Sequence, residues 1–429
     1  MLLSAIIMLS KLRIVSINDV YELTNLPKLQ SFLAQLNRVP NAVILAGDFL
    51  SPSPLSSLDG GKGMVATLRA AGITHFCLGN HEADLALNTI HKRIRQFSKS
   101  AKFINTNVRN GVGDSRAWLS DASLSLEYSI ITTPDDKVKV ALLGLLSDEP
   151  DVFYGGTFKG APIDDVLETY TKMYNSLIPS GTADFILPLT HQSLKRDVQL
   201  AQHMLHTTNI SEGLIIGGHD HVIMDEIVFD ETNTSKSVRI LKSGMDCAHA
   251  NLIDVIFDTS STPPVLTSIE STMVDLSKYP DSQVVSKIAN AHLSLLDKMK
   301  DEVAVRADDM LPPGTTLSSQ RSRYQQTTVG SLFCQAIKEE LETDVALLNG
   351  GSIKGNTLYD DNSMSYAQLK KELPFPTKIV VVQMTRSEVQ EAIYYSRNNV
   401  EENARDAIPD EDGEVPRRGY LQVDLDLDL

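Results

Sequence analysis

Cysteine and positive charge are both scarce in this chain of 429 residues. Its three cysteines are widely spaced and odd in number, which argues against a disulfide framework and against a cysteine-rich zinc site. The formal net charge of −16 argues against binding of a nucleic-acid polymer. An acidic protein still accepts a small anionic substrate where bound cations, or local Arg and Lys side chains, reverse the field in one cleft. The cysteines are Cys77, Cys247 and Cys334.

Long hydrophobic runs are also missing. The first segment, "MLLSAIIMLSKLR", is mostly apolar, but no basic residue precedes the apolar stretch and no A-x-A-like cleavage site follows it. Such a segment is a poor signal peptide and is too short to span a membrane. We therefore expect no membrane association, and we favour the cytoplasm over a secreted or periplasm-like location. The sequence indicates no oligomeric state.

Apolar strands alternate with amphipathic helical patterns over the first part of the chain. This alternation predicts a layered α/β domain. Strands are predicted at Arg13–Ile17, Ala42–Ala46, His75–Leu78, Val138–Leu143, Asp184–Leu189, Leu214–Ile216, Val238–Leu241 and Leu252–Phe257.

A second region follows a predicted linker helix. The segment "DSQVVSKIANAHLSLLDKMKDEVAV" has helical periodicity, and "LPPGTTLSSQRSR" then opens a new stretch. That stretch predicts helices at "GSLFCQAIKEELE" and "SEVQEAIYYSR", strands at "DVALLNGG" and "KIVVVQM", and a polar loop between Asn398 and Arg418. We therefore predict a catalytic domain over residues 1–275, a linker helix over 276–308 and a smaller domain over 309–429.

A polar group that can bind a metal follows each of five predicted strands. Taken singly, a Gly-Asp pair after a strand is more often a turn, and "GHDH" also fits a turn with two exposed histidines. Five such strand ends in one chain are harder to explain as turns, because α/β sheets gather ligands at the carboxyl ends of their strands. In chain order the groups are Asp19, Asp48, Asn80 with His81 and Asp84, His191, and His219 with His221.

The donor set indicates the kind of metal. Carboxylate, carboxamide and imidazole ligands without thiolates suit Mn, Fe, Zn and similar divalent ions. Two such ions bridged by a carboxylate and a hydroxide form a clamp for in-line displacement at phosphorus. The sequence supplies about the number of ligands that this clamp needs.

These motifs carry a resemblance to a known family. Asp19, "GDFLSPS", "GNHEAD", "LTHQSLKRD" and "GGHDH" resemble the ordered motif set of the calcineurin-like metallophosphoesterases, and the chain from roughly residue 12 to 425 resembles the 5′-nucleotidase family. The resemblance implies a sandwich of two sheets flanked by helices, followed by a smaller α/β nucleotide-binding domain. It also implies a nucleotidase in which a metal-activated hydroxide attacks the phosphorus of a nucleoside monophosphate or related nucleotide.

The resemblance assigns ligands to two divalent or mixed-valence ions of Mn, Zn, Fe or Co. It implies that Asp48 bridges both ions and that Asp19 and His221 bind the first. The second ion would be bound by Asn80, His191 and His219.

The resemblance also assigns a catalytic pair. The spacing of His81 and Asp84 in "GNHEAD" matches the His-Asp dyad of the family. This implies that His81, oriented by Asp84, stabilises the phosphoryl oxygens or protonates the leaving group. Without that context, Asp84 is equally well explained as an acidic residue in the first turn of a helix.

Tyr21 lies where the family has a metal-binding histidine. A phenol has a solution pKa near 10, so direct ligation requires a strong Lewis acid such as ferric iron. Alternatively Tyr21 donates a hydrogen bond without touching the ion, which leaves Asp19, Asp48, His221 and water on the first metal. We favour the second alternative.

The second region carries the substrate features that the resemblance implies, with departures. "LLNGGSIKG" resembles the family segment Asn-Gly-Gly-Gly-Ile-Arg, and Lys354 replaces its Arg. On its own the segment is a turn, Arg323 is a solvated residue and Phe375 belongs to a core. The family also continues beyond "RRGYLQVDLDLDL", so we expect a C-terminally short domain. The implied substrate-binding residues are Arg323, Asn349, Gly350, Gly351, Lys354 and Phe375.

Two other functions fit the same residues. Tyr21 and the short second domain are compatible with a nucleotide-binding protein of weak catalytic activity. The same metals would also hydrolyse another ester, such as a cyclic nucleotide, a nucleotide sugar or a thiosulfate ester.

Overall fold

The computed structural model describes residues 8–111, 119, 121, 123–153, 156–208, 210–300, 302–373, 379–398 and 419–425. The chain divides into two units, Met1–Leu295 and Leu296–Leu429. Helix Gln283–Lys300 contains the point of division. The boundaries predicted from the sequence, with a linker over 276–308, stay a prediction.

The first unit is built from thirteen strands and seven α-helices in its described part. The strands are β1 (Leu9–Ile17), β2 (Ala42–Ala46), β3 (His75–Cys77), β4 (Lys102–Ile104), β5 (Ser125–Leu126), β6 (Ser129–Thr132), β7 (Lys139–Leu146), β8 (Phe185–His191), β9 (Glu212–Gly218), β10 (Ile223–Phe229), β11 (Ser237–Ser243), β12 (His249–Asp258) and β13 (Val265–Asp275). The helices are α1 (Leu26–Gln35), α2 (Pro54–Asp59), α3 (Lys62–Ala71), α4 (Leu87–Phe97), α5 (Val166–Leu177), α6 (Leu194–Thr207) and α7 (Gln283–Lys300).

These strands form two sheets. The seven-stranded sheet has the order β13-β12-β1-β2-β3-β4-β5, and the six-stranded sheet has the order β10-β11-β9-β8-β7-β6. Strands β1 to β5 pair in parallel, as do β7, β8, β9 and β11, while β6, β10, β12 and β13 join antiparallel. Parallel neighbours present their carboxyl ends at one edge, which is where the predicted ligands lie.

A buried apolar layer lies between the two sheets. It contains side chains of the first sheet, such as Ile14 and Ile44, together with side chains of the second, such as Leu142 and Leu187. Helices α5 and α6 cover the outer face of the second sheet, where Tyr170 is part of a separate core. The predicted sandwich of two sheets flanked by helices is therefore confirmed.

The second unit is smaller and is also α/β. Its described strands are β14 (Val303–Arg306), β15 (Leu317–Ser318), β16 (Leu347–Asn349), β17 (Leu358–Tyr359), β18 (Ser363–Ser365) and β19 (Leu421–Val423), and its helices are α8 (Ala307–Met310), α9 (Thr328–Glu340), α10 (Tyr366–Glu372) and α11 (Arg386–Asn398). The strands pair as β14-β18, β15-β17 and β16-β19. Helix α9 contributes much of the core, including Leu332 and Phe333.

One predicted strand is wrong. The described residues of "KIVVVQM", from Ile379 onward, form neither helix nor strand, and Val381 is 66% exposed. The β-branched composition favours an extended chain, but a strand also needs a neighbour to bind its backbone groups. The predicted loop over Asn398–Arg418 lies almost wholly outside the described residues.

None of the helices in the described part of the chain combines the length and the apolar character needed to cross a bilayer.

Candidate functional site

The predicted ligands of the first unit converge at the carboxyl ends of β1, β2, β3, β8 and β9. Asp19, Asp48 and His191 are buried, and one ligand atom of each lies within 4.8 Å of those of the other two. His191 Nε2 is 3.1 Å from Asp48 Oδ2 and 3.9 Å from Asp19 Oδ1. Asp19 Oδ1 is also 3.3 Å from His221 Nε2. The structure thus brings the groups of four strand ends into one cluster.

The chain turns sharply at four of the predicted ligands. Their backbone φ angles lie in the left-handed region, which residues other than glycine rarely adopt. The φ values are 53° at Asp19, 51° at Asp48, 85° at His219 and 58° at His221. Each residue directly follows a strand or lies just beyond one, so the turn redirects its side chain into the cluster. Such strained conformations gather at functional sites, where the surrounding structure holds them.

Glycine at position 47 makes room for an imidazole. Gly47 has φ +74°, and a Cβ atom there would collide with His191 Nδ1. The glycine of the "GD" motif therefore has a steric reason: β2 and β8 approach each other too closely for any side chain at this point.

Glu82 holds the Asp48 loop in place. Its carboxylate is fully buried and accepts hydrogen bonds from the backbone N–H groups of Gly79, Asp48, Phe49 and Leu50 at 2.6–3.1 Å. Burial, followed by the charge of Asp48, raises the pKa of Glu82 to about 7. Sequence reasoning quoted this residue within "GNHEAD" but gave it no role.

Asp246 and Asn18 hold the loop that carries Asp19. Asp246 Oδ1 accepts hydrogen bonds from the backbone N–H groups of Tyr21 at 2.9 Å and Glu22 at 3.1 Å. The side-chain amide of Asn18 donates to Asp19 Oδ2 at 2.7 Å. Sequence reasoning missed both residues. Asn18 stands directly before the predicted ligand, but Asp246 is more than two hundred residues away in sequence, so nothing in the local pattern indicated it.

The environment of His191 fits a bound cation. His191 Nδ1 lies 2.8 Å from the carbonyl oxygen of Ala46, which can only accept a hydrogen bond, so Nδ1 carries a proton. The other ring nitrogen, Nε2, faces Asp48 Oδ2 at 3.1 Å. Burial lowers the pKa of His191, but the charges of Asp48 and Asp19 outweigh it and raise the pKa. In the metal-free protein the raised pKa favours a protonated ring, whose Nε2–H lies against Asp48 Oδ2. A divalent ion in place of this proton would be bound by Nε2 and by the same carboxylates.

Asn80 and His219 form a second group beside His191. The Asn80 side chain donates from Nδ2 to the carbonyl oxygen of Val152 at 2.9 Å, and its Oδ1 is 3.0 Å from His219 Nδ1. The His191 and His219 rings meet edge to face at 5.4 Å. Burial, followed by the charge of His191, lowers the pKa of His219 to about 4, which keeps the ring in the neutral form that binds metals.

The Tyr21 hydroxyl lies among the predicted ligands of the first ion. It is 2.9 Å from His221 Nε2, 3.1 Å from Asp48 Oδ2 and 3.3 Å from Asp19 Oδ1. Burial, followed by the charges of Asp48 and Asp19, raises the pKa of Tyr21 well above its usual value. The phenol therefore keeps its proton, and its O–H donates a hydrogen bond to a neighbouring carboxylate.

His81 and Asp84 are in contact at the rim of the cluster. His81 Nδ1 is 2.7 Å from Asp84 Oδ2, and the backbone N–H of His81 donates to Asp48 Oδ1 at 2.9 Å. Burial lowers the pKa of His81, but the hydrogen bond to Asp84 and the charge of Asp48 outweigh it and raise the pKa. The short 3₁₀ helix His81–Asp84 places the two side chains on one face.

The second unit brings several of its predicted substrate-binding residues together. Asn349 Oδ1 accepts a hydrogen bond from the backbone N–H of Gly351 at 2.7 Å. The carbonyl oxygen of Gly350 accepts one from the Ser322 hydroxyl at 2.9 Å. A Cβ atom at Gly351 would lie 3.2 Å from the Arg323 guanidinium, so Arg323 lies next to this loop. Lys354 is exposed just beyond it, while Phe375 lies outside the described residues.

Two family models match the chain. The calcineurin-like phosphoesterase model matches residues 12–223, and the model of the 5′-nucleotidase C-terminal domain matches residues 303–424. Among curated proteins, the trifunctional nucleotide phosphoesterase of Bacillus subtilis is 24% identical over 281 residues, which is 64% of this chain but only 18% of that protein.

Two solved structures share the fold over nearly the whole chain. The 5′-nucleotidase precursor of Thermus thermophilus is 18% identical, with a TM-score of 0.62 over 96% of this chain and 81% of that chain. The NAD nucleotidase of Haemophilus influenzae is 14% identical, with a TM-score of 0.66 over 97% and 88% of the two chains. With both family models matched in order, the chain belongs to the calcineurin-like phosphoesterases and carries the C-terminal domain of the 5′-nucleotidases, which are phosphoric ester hydrolases.

Proposed function

We propose that this protein is a binuclear metal-dependent nucleotidase that acts on nucleoside monophosphates or related nucleotides. The observation that carries the proposal is the buried convergence of Asp19, Asp48 and His191, whose ligand atoms lie within 4.8 Å of one another. Calcineurin-like phosphoesterases use divalent metals, and the donor set of this chain suits such ions.

Each predicted ligand has a proposed place. Asp48 would bridge two ions, Asp19 and His221 would hold the first, and Asn80, His191 and His219 the second. Bound divalent ions supply an activated hydroxide for attack on phosphorus and neutralise charge on the phosphoryl oxygens. The chain contributes ligands whose orientation is held before the ions bind, by Glu82 on the Asp48 loop and Asp246 on the Asp19 loop.

His81 is proposed to act on the phosphoryl group or on the leaving oxygen. Its Nδ1 forms a hydrogen bond with the Asp84 carboxylate, and this contact keeps the proton on Nδ1 and fixes the plane of the ring. The charges that raise its pKa favour the protonated ring. A protonated His81 stabilises a developing anion and donates a proton to the alcohol that leaves.

The loop of the second unit is proposed to bind the nucleotide. Arg323, Asn349, Gly350 and Gly351 offer a cation, an amide and two backbone groups in one small region. We propose Lys354 and Phe375 as further substrate contacts. Lys354 supplies a point charge where a guanidinium would bind two oxygens at once, so it favours anionic groups with less geometric selection.

Tyr21 is proposed to donate a hydrogen bond to Asp48 and to remain off the metal. We expect the ferric-loaded protein to lack a tyrosinate-to-iron charge-transfer band, because the surrounding carboxylates disfavour a second negative charge at the phenol. Visible absorption of the iron-loaded wild type and of Tyr21→Phe tests this. Observation of such a band in the wild type, and its loss in Tyr21→Phe, would show that Tyr21 is a ligand.

The activity is tested by a substrate screen on the metal-reconstituted protein. We expect phosphate release from nucleoside monophosphates with Mn, Co, Zn or Fe, and loss of activity on removal of metal with a chelator. The panel also contains nucleotide sugars, 2′,3′-cyclic nucleotides and a thiosulfate ester, because the same centre would act on these. The proposal fails if no phosphoester is turned over with any of these metals.

One observation favours a second candidate function. Tyr21 stands among the predicted ligands of the first ion, so this chain fits a nucleotide-binding protein of weak activity if that ion is not held. Calorimetry with nucleoside monophosphates separates the two. Tight binding with no measurable hydrolysis would favour the binding protein, while the intact contact of His81 with Asp84 favours the enzyme.

A further inference from the structure

A buried lysine lies behind the cluster of proposed ligands. Lys242, on β11, is 1% exposed, and its ammonium group has four oxygen neighbours. Its three N–H groups donate hydrogen bonds to the carbonyl oxygens of Gln192 at 2.7 Å and Gly218 at 2.8 Å, and to Asp220 Oδ2 at 2.5 Å. Asp197 Oδ2 lies 2.7 Å away as an ion-pair partner. The ammonium therefore uses every donor that it has.

Three of these contacts belong to segments that carry the proposed imidazole ligands. Gln192 directly follows His191, and Gly218 directly precedes His219. Asp220 stands between His219 and His221. One cation is thus bonded to both strand ends from which the three imidazoles project.

The regular pairing of the two strands does not extend into this region. Strands β8 and β9 pair in parallel, and the last paired residues are His191 and Gly218. Beyond Gly218 the chain enters the left-handed turns at His219 and His221, where the pairing of β8 with β9 has ended and the His219 backbone N–H donates to Asp19 Oδ2 at 2.8 Å. The Lys242 ammonium supplies hydrogen bonds at the point where the sheet ceases to do so.

The surroundings of Lys242 are built to hold a charge. Asp197 is completely buried, and its Oδ1 accepts hydrogen bonds from the Thr190 hydroxyl at 2.8 Å and from the Gln192 amide at 3.0 Å. At Gly217 a Cβ atom would lie 2.9 Å from Lys242 Cε and 3.0 Å from Asp197 Oδ2. The first glycine of "GGHDH" therefore gives space to this ion pair. A buried pair needs such well-placed partners to offset its desolvation.

We propose that Lys242 is a positioning residue that holds His191 and His219 at the separation needed to bind one ion together. The inference rests on the proposed metal centre and adds a residue that does not touch metal or substrate. Groups that orient metal ligands typically change metal affinity by about 10- to 100-fold when they are removed. Lys242 binds the backbone carbonyls next to both His191 and His219. Its loss is therefore expected to change the distance between the two rings more than the orientation of either ring.

The test is a titration of the metal-free protein with Co²⁺, followed by visible absorption, which reports affinity and coordination geometry independently of activity. For Lys242→Met we expect a dissociation constant about 10- to 100-fold higher than in the wild type, and a changed d–d spectrum. Lys139→Met removes an exposed lysine from β7 and is the matched control, with no expected change.

A second variant separates position from stability. Lys242→Met leaves the buried Asp197 without its cation, so it is expected to unfold at a lower temperature. Lys242→Met/Asp197→Asn removes both charges, and we expect its thermal stability to recover while Co²⁺ affinity stays low. If the single variant does not fold, the double variant carries the test.

Each outcome has a distinct meaning. If the wild type binds no Co²⁺, the proposed metal centre fails and this inference fails with it. If the wild type binds Co²⁺ and the folded lysine variants bind it equally well, only the positioning role is overturned. Recovery of affinity together with stability in the double variant would also overturn it, since Lys242 would then serve the fold alone.

Discussion

Replacing Asp48 with Asn is expected to lower kcat/KM for a nucleoside monophosphate by roughly 10³-fold or more. Bound ions contribute several kcal/mol of transition-state stabilisation. Each loss of about 1.4 kcal/mol lowers the rate tenfold. Asn has the size of Asp and tolerates the left-handed φ of 51° at this position, so the change removes charge with little effect on the backbone. Steady-state kinetics and the metal content of the purified variant are the measurements.

The control for Asp48→Asn is Asp225→Asn, the same change at an exposed residue of β10 that pairs with Arg239. We expect wild-type kinetics and metal content from it. The metal-free Asp48→Asn protein is expected to be less stable than the wild type at neutral pH. Burial raises the pKa of Asp48, but the charge of His191 outweighs it and lowers the pKa to about 2, so the charged carboxylate stabilises the fold. Retention of both metal ions and of full activity in Asp48→Asn would contradict the role of a bridging carboxylate.

Replacing His81 with Ala is expected to lower kcat by about 10² to 10⁴, the usual contribution of a positioned acid or base. Metal binding is expected to survive, because the contact of this residue with Asp48 Oδ1 is made by its backbone N–H, which Ala retains. A fall in turnover at unchanged Co²⁺ affinity is therefore the signature of a group that acts on substrate. The two assays are run on the same protein preparation.

Two further variants refine the result for His81. His206→Ala, on the exposed side of α6, is the matched control and should leave turnover unchanged. Asp84→Asn removes the carboxylate that receives His81 Nδ1–H, so its turnover should lie between those of the wild type and His81→Ala. If His81→Ala reduces Co²⁺ affinity in proportion to its activity, the histidine supports the metal centre and is not a catalytic group.

Several elements followed from the sequence alone. The ends of the strands could be predicted from local patterns, because an apolar run that stops at a Gly-Asp or a Gly-Gly-His is visible within a few residues. The predicted ligands lie close together in the structure because the carboxyl ends of parallel strands meet at one edge. The strand predicted at "KIVVVQM" failed for the opposite reason. Its composition favours an extended chain, but composition carries no information on whether another strand lies beside it.

The supporting residues of the site were not accessible from the sequence. Lys242 reads as an ordinary lysine at the end of a strand, and Asp246 as part of a turn. Their roles appear only when β11 pairs with β9, and when the loop after β11 packs on the loop after β1. Glu82 was visible in its motif, but its four backbone contacts depend on how β2 and β3 end side by side.

The α/β class, the order of the ligand-bearing strand ends and the chemistry of their side chains were predictable from the sequence, because these depend on residue type and local periodicity. How those groups are held in place depends on contacts that form only in the folded protein. The tertiary structure placed the Tyr21 hydroxyl among Asp19, Asp48 and His221, made Gly47 and Gly217 necessary for close approach, and buried Lys242 between two strand ends. These features depend on contacts between segments far apart in the chain, and distances of that kind are set only when the strands pair and the two sheets pack.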